Sequence, residues 1–223
     1  MAIFFTADTH FGHEKVMGYS NRPFANAAEM EAALLANWAA ALRSPKDKLY
    51  HLGDVAFGNV EAVTRIAGLI KKMPGEKFLI PGNHDSAQNL KILEDEKAFA
   101  ILPPRYELDI NGIALPDDVS PPVKRGAKRL PIVLDHYPLM SWNRSGYGAL
   151  HLHGHCHACV PETSQRLDVG VDAWNYAPAS LEDVLRRLAA APRWNDPRAG
   201  REARAAMKNA SPLARLLHRL FGR

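Results

Sequence analysis

Two hydrophobic periods alternate along the first eighty residues. Ala2 to Ala7 is a short apolar run of strand-forming residues that stops at the polar cluster Asp8-Thr9-His10. Glu29 to Leu42 then places Met30, Leu34, Leu35, Trp38 and Leu42 at helical spacing. Lys48 to Leu52 returns to a strand pattern and ends in Gly53-Asp54. Val60 to Ile70 is helical again through Val63, Ile66, Ala67 and Ile70, with Pro74-Gly75 closing it. Lys77 to Ile80 makes a third strand before Pro81-Gly82. Strand and helix in alternation predict an α/β core whose first half is largely parallel.

The second half loses that alternation. Tyr106 to Leu115 and Pro131 to Leu134 read as strands around a proline-bearing surface loop, Pro116 to Leu130. This loop runs from Asp117-Asp118 to Lys124, Arg125, Lys128 and Arg129. Leu150 to Leu152 and Arg166 to Val171 supply two more strands, and Leu181 to Ala190 a helix. Strands without helices between them predict an antiparallel layer facing the first.

At 223 residues, 47% hydrophobic and 23% charged, the chain is long enough for one domain over 1–192 with an appendage over 193–223. The net charge of +4 divides unevenly: from Arg186 onward ten Lys or Arg face two acids, so the first 185 residues carry a net −4. Within the appendage Arg193 to Ala210 reads as a linker. Pro212 to Arg223 aligns Leu213, Leu216, Leu217, Leu220 and Phe221 on one helical face. Such a tail suits an anionic membrane surface, nucleic-acid phosphates or a second copy of the chain. No apolar run approaches the roughly 20 residues of a membrane span. Met1 to Phe5 has no basic residues before it, so a secretory leader is not expected. Cys156 and Cys159 cannot staple a domain of this size, which fits the cytoplasm. With no second pair to complete a zinc ribbon they read as plain thiols.

The chemistry lies where the strands end. Asp8-Thr9-His10, Gly53-Asp54, Gly82-Asn83-His84-Asp85, Asp135-His136 and Gly154-His155-Cys156-His157 each follow a strand, and ligands of α/β sheets bind beyond the carboxyl ends of strands. Asp8 with His10, and His155 with His157, are two apart, which in extended backbone puts each pair on one side, able to hold one ion. Carboxylate, imidazole and amide oxygen together suit Mn(II), Fe, Zn, Ni or Co, manganese first. The seven candidates Asp8, His10, Asp54, Asn83, His136, His155 and His157 exceed one tetrahedral ion and match two sharing a carboxylate. Two ions about 3.5 to 4 Å apart perform hydrolysis at phosphorus or a carbonyl. His151 and His153 share the parity of His155 and His157 but precede the break at Gly154, and read, like His51, as buried groups. His13 and Arg22 are candidates for touching a phosphate. Trp142, Asn143 and Tyr147 are expected at the pocket rim.

The ordered series D-x-H, G-D, G-N-H-D, a lone His and G-H-x-H resembles the calcineurin-like metallophosphoesterase superfamily, most closely its small bacterial and phage-type members. Asp8-Thr9-His10-Phe11-Gly12-His13, Asn21-Arg22-Pro23-Phe24 and His136-Tyr137-Pro138 carry that closer likeness. The resemblance implies a four-layer α/β/β/α sandwich of two mixed sheets. It puts Asp8, His10 and His157 on one metal and Asn83, His136 and His155 on the other, with Asp54 bridging. His84 becomes the acid beside the leaving group and Asp85 its orienter. The family's further Asp or Arg after G-D is missing from Val55-Ala56-Phe57-Gly58. The expectation is a dinuclear phosphoester hydrolase, a phosphodiesterase before a monoesterase, with hydroxide generated on the metals attacking a phosphate that bridges them. A nuclease and a noncatalytic metal-binding interaction protein are the alternatives.

Overall fold

A computed structural model describes residues 1–112 and 129–193. The basic loop, apart from its last two residues, and the linker, amphipathic helix and tail partners expected beyond Arg193 lie outside the described residues. The chain runs β1 (Ile3–Thr6), α1 (Val16–Tyr19), α2 (Ala27–Ala41), β2 (Lys48–His51), α3 (Val60–Lys71), β3 (Glu76–Leu79), α4 (Ala87–Asp95), β4 (Ala100–Ile101), β5 (Arg105–Asn111), β6 (Arg129–Asp135), β7 (Leu150–His153), β8 (Arg166–Asp168), β9 (Ala179–Ser180) and α5 (Leu181–Ala190). Side-chain oxygens of Asn26, Asn59, Ser86 and Ser180 accept the first free N–H groups of α2, α3, α4 and α5, turning the chain from loop into helix.

Two mixed sheets with flanking helices result. The first has the order β4-β3-β2-β1-β9, parallel except where β9 runs antiparallel to β1. Its residues alternate between faces. Leu49 and Leu79 meet Met30, Leu34 and Trp38 of α2, Val63, Ile66 and Ile70 of α3 and Leu93 of α4. On the other face Phe5, Tyr50 and Phe78 stack in register across three strands, with centroids 5.8 and 5.0 Å apart. They cover Ile132, Leu134, Leu150, Leu152 and Leu167 of the second sheet, and Val184, Leu185 and Leu188 of α5 join the same core.

The second sheet, β5-β6-β7-β8, is antiparallel only between β5 and β6; β6, β7 and β8 run parallel. The antiparallel layer expected from the missing helices is therefore corrected. A parallel return needs about a dozen residues of crossover, and loops 136–149 and 154–165 provide them without an α-helix. β6 also begins at Arg129 rather than at Pro131. Pro131 precedes the start of β7 pairing at Ile132, so its missing N–H is tolerated there. Among the described residues no helix is long and apolar enough to cross a membrane.

Candidate metal centre

The strand-ending residues leave the extended conformation at once. Asp8, His10, Asp54, His155 and His157 all have positive φ, between 47° and 70°, a region that side-chain-bearing residues seldom occupy outside functional turns. Strand alternation therefore does not aim these side chains; each is turned by its own backbone. The turns hold one another. Asp8 and His10 N–H donate to the carbonyls of Gly53 and Asp54, both at 3.0 Å, and Gly154 N–H donates to His136 O, also at 3.0 Å. A Cβ on Gly53 would stand 2.5 Å from Gly82 N and 2.7 Å from His136 Nδ1, so only glycine lets these loops close so tightly.

Two overlapping ligand groups follow. Ligand atoms of Asp8, His10 and His157 lie within 4.8 Å of one another, as do those of Asp8, Asp54 and His136. Asp54 Oδ2 stands 3.6 Å from His10 Nε2 and 3.5 Å from His136 Nε2. Asn83 Oδ1 is 2.9 Å from both His136 Nε2 and His155 Nδ1. His155 and His157 thus face different partners, against the reading that two ligands two apart grip one ion.

In three of the four candidate imidazoles the second nitrogen is also occupied: His136 Nδ1 meets Leu52 O at 2.7 Å, His157 Nδ1 meets Asp172 Oδ2 at 2.6 Å, and His10 Nδ1 meets His13 Nδ1 at 3.3 Å. Burial, then the charges of Asp168 and Asp54, push the Asp8 carboxyl well above the usual carboxylate range. Burial and the neighbouring His157 hold His10 down to about 2, a neutral imidazole with a lone pair to give. Its Nε2 is buried without a hydrogen-bond partner. Crowded buried carboxylates beside the neutral His10 ring with its orphaned nitrogen are what a divalent transition ion would satisfy, so the donor set fits a metal.

Other expected site residues fall inside and outside this cluster. His84 is exposed at the mouth, its ring 5.3 Å from that of His10, and its backbone N–H donates to Asp54 Oδ1 at 2.8 Å. Asp85 does not orient the His84 ring. Its carboxylate accepts from the N–H groups of Asp54 (2.7 Å), Gly82 (2.8 Å) and Val55 (3.0 Å), supplying from β3's side the charge missing after Gly53-Asp54. His13 sits at the rim against His10.

Arg22 is corrected from substrate contact to internal clamp. It donates to both oxygens of Asp172 at 2.8 Å, to Asp8 O at 2.7 Å and to Thr9 O at 3.1 Å. Trp142 is corrected likewise: it is buried against His151, centroids 5.1 Å apart, with Nε1 donating to Ala149 O. Asn143 binds Glu107 of β5 rather than a pocket, and Tyr147 is exposed within the short 3₁₀ turn Ser145–Tyr147. His51, His151 and His153 are buried, and the two cysteines are not joined.

Sequence reasoning missed Asp172, Asp168 and Tyr137. Asp172 holds His157, while Asp168 accepts from Ala158 N–H (3.0 Å) and Gly170 N–H (2.7 Å), fastening the loop that carries His157 to the end of β8. The available signal was Val169-Gly170-Val171-Asp172, one more apolar run ending in a carboxylate. Tyr137 packs on His155 and His136 at 4.7 and 5.1 Å.

Residues 1–163 match the family model for calcineurin-like phosphoesterases. The uncharacterized protein MJ1445 of Methanocaldococcus jannaschii is 28% identical over 83% of this chain and 90% of its own length. The Gene 66 protein of Mycobacterium phage L5 is 25% identical over 76% of this chain and 86% of its own. In fold the chain is similar to the protein of unknown function AQ665 from Aquifex aeolicus, with a TM-score of 0.56 at 21% identity over 83% of this chain and 98% of that one.

Proposed function

Because the chain belongs to the calcineurin-like phosphoesterase family and is thereby a metal-dependent phosphoester hydrolase, we propose that it cleaves phosphodiesters at a centre of two divalent ions, manganese by preference. The observation that carries this reading is the overlap of the ligand groups: Asp8 belongs to both, and Asp54 lies between His10 and His136. Asp8, His10 and His157 would hold one ion, Asn83, His136 and His155 the other, and Asp54 both. Such a pair supplies hydroxide at neutral pH and neutralises charge on the phosphate. His84, fixed through its backbone to Asp54 and open at the mouth, gives a proton to the departing ester oxygen. The commitment of Arg22 to Asp172 supports a diester over a dianionic monoester, since that guanidinium is not offered to a second phosphate charge. Free thiols suit a reducing compartment, the cytoplasm.

The test is turnover by the full chain loaded with Mn(II), Ni(II) or Zn(II) on bis(4-nitrophenyl) phosphate, 4-nitrophenyl phosphate, a cyclic nucleotide and single-stranded DNA, with metal content measured in parallel. Two ions per chain and diester rates above monoester rates are expected, and Asp54→Asn should lose metal and activity together. Two bound ions without turnover on any substrate would make the protein a metal-holding scaffold instead. Preference for DNA would make it a nuclease.

A further inference from the structure

Two aromatic side chains stand exposed at the mouth, one beside each half of the centre. Phe57, 48% exposed, lies face to face on His13, with centroids 4.4 Å apart and planes at 20°, and meets the edge of His84 at 6.4 Å. Tyr137, 45% exposed, packs on His155 and His136. His13 meets His10, whose Nε2 is 3.6 Å from Asp54 Oδ2, and His136 Nε2 is 3.5 Å from the same oxygen. The two rings therefore belong to different histidines beside the shared carboxylate, Phe57 to His10 by way of His13 and Tyr137 to His136. Each is steadied by a site imidazole and has much of its surface in water, where an aromatic ring gains least.

We propose that Phe57 and Tyr137 are stacking platforms for the two ester arms of the substrate, which is a phosphodiester bearing planar aromatic groups. The inference deepens the phosphodiesterase reading and rests on it. A phosphate seated over the shared carboxylate has one arm toward each ring, and only a diester has two arms to place. His84 lies on the Phe57 side, so the arm over Phe57 is the one that departs. Water adds to phosphorus as the P–O bond to that arm breaks and its oxygen takes a proton, leaving a monoester whose remaining arm lies on Tyr137. Tyr19, exposed and with its ring 6.4 Å from that of His13, extends the departing side.

The experiment uses the full-length Mn(II)-loaded protein with bis(4-nitrophenyl) phosphate and methyl 4-nitrophenyl phosphate, whose one ring is on the leaving group. Removing a stacking platform costs about tenfold in affinity. Phe57→Ala is expected to raise KM about tenfold on both substrates. Tyr137→Ala is expected to raise it about tenfold on the diaryl ester and less than twofold on the methyl ester, and Tyr137→Phe, which keeps the ring, to restore it. Calorimetric titration with diphenyl phosphate reads the stacking without turnover: both alanine variants should bind it about tenfold more weakly while retaining their ions. Unchanged affinity for diphenyl phosphate in both variants would overturn the proposal, as would equal KM losses on the two substrates in Tyr137→Ala. A wild-type chain that turns over no diester would sink the activity reading, and the titration would still decide the platforms.

Discussion

The guanidinium of Arg22 is wholly enclosed, and its partner Asp172 is 6% exposed. Through Asp172 it fixes Nδ1 of His157, and through the carbonyls of Asp8 and Thr9 it fixes the turn that carries Asp8 and His10. One buried ion pair thus sets Asp8, His10 and His157 and touches none of Asn83, His136 and His155. Asp172→Asn should weaken the ion held by Asp8, His10 and His157 by about 10- to 100-fold, the usual effect of losing a ligand's orienting partner, and leave the second ion in place. Metal titration would then find one tight site per chain, and loss of both ions alike would refute the division. At this scale the candidate cluster of Asp8, His10, Asp54 and His136 was legible because strand ends concentrate Asp, His and Asn. The role of Arg22 was not, since its partner is 150 residues away and only the fold decides whether a cation faces solvent or a buried carboxylate. The left-handed backbone of Asp8, His10, Asp54, His155 and His157 was equally hidden, because Asp and His are enriched in that region and yet mostly lie outside it.

Among the elements, the exits of β2 and β3 are tied by one side chain. Asp85 collects N–H groups from both, although burial raises its carboxyl above the usual range. Asp85→Ala leaves three donors without an acceptor and should cost about 3 kcal/mol or more, at roughly 1–3 per unsatisfied buried group. Urea unfolding of the metal-free protein would measure it, and a loss under 1 kcal/mol would show that the loops find other partners. The long periodic elements α2, α3 and α5 could be read from sequence because each presents a continuous apolar stripe. α4 could not: Leu93 is its one fully buried residue, with Leu90 and Ile92 only partly buried beside it, too short a stripe to set a period. β4 and β9 are two residues each, too short for any period to register. The direction of β7 and β8 was misread because direction depends on where the crossover loop goes, and loops 136–149 and 154–165 have no periodicity to reveal it.

For the whole molecule, stability should depend on two buried histidines outside the candidate ligand set, His151 and His51. Leu139 N–H donates to His151 Nε2 and Gly53 N–H to His51 Nδ1, so both rings are neutral in the folded chain. Burial holds each down to about 3, whereas an unfolded histidine titrates near ~6.5. As pH falls below that value the unfolded state takes up protons that the folded state refuses. Stability is therefore full above pH ~6.5 and declines toward pH 3, by up to about 2–3 kcal/mol per pH unit for two protons. Urea midpoints between pH 7 and 4.5 should fall at least that steeply, since His10 and His153 are held down as well, and His151→Gln should lessen the slope by about 1.4 kcal/mol per pH unit; an unchanged slope in that variant would mean that the ring is charged when folded. The first sheet has its own dependence on order in the chain. β1 is flanked by β2 and, on its other side, only by β9 at Ala179–Ser180. A chain still leaving the ribosome accordingly presents β1 with one edge open and ready to pair with a neighbouring nascent chain. Until His157 and Asp172 have followed, the turn of Asp8 and His10 has neither its last imidazole nor the clamp for it, so this group is complete only once the chain has been made as far as Asp172.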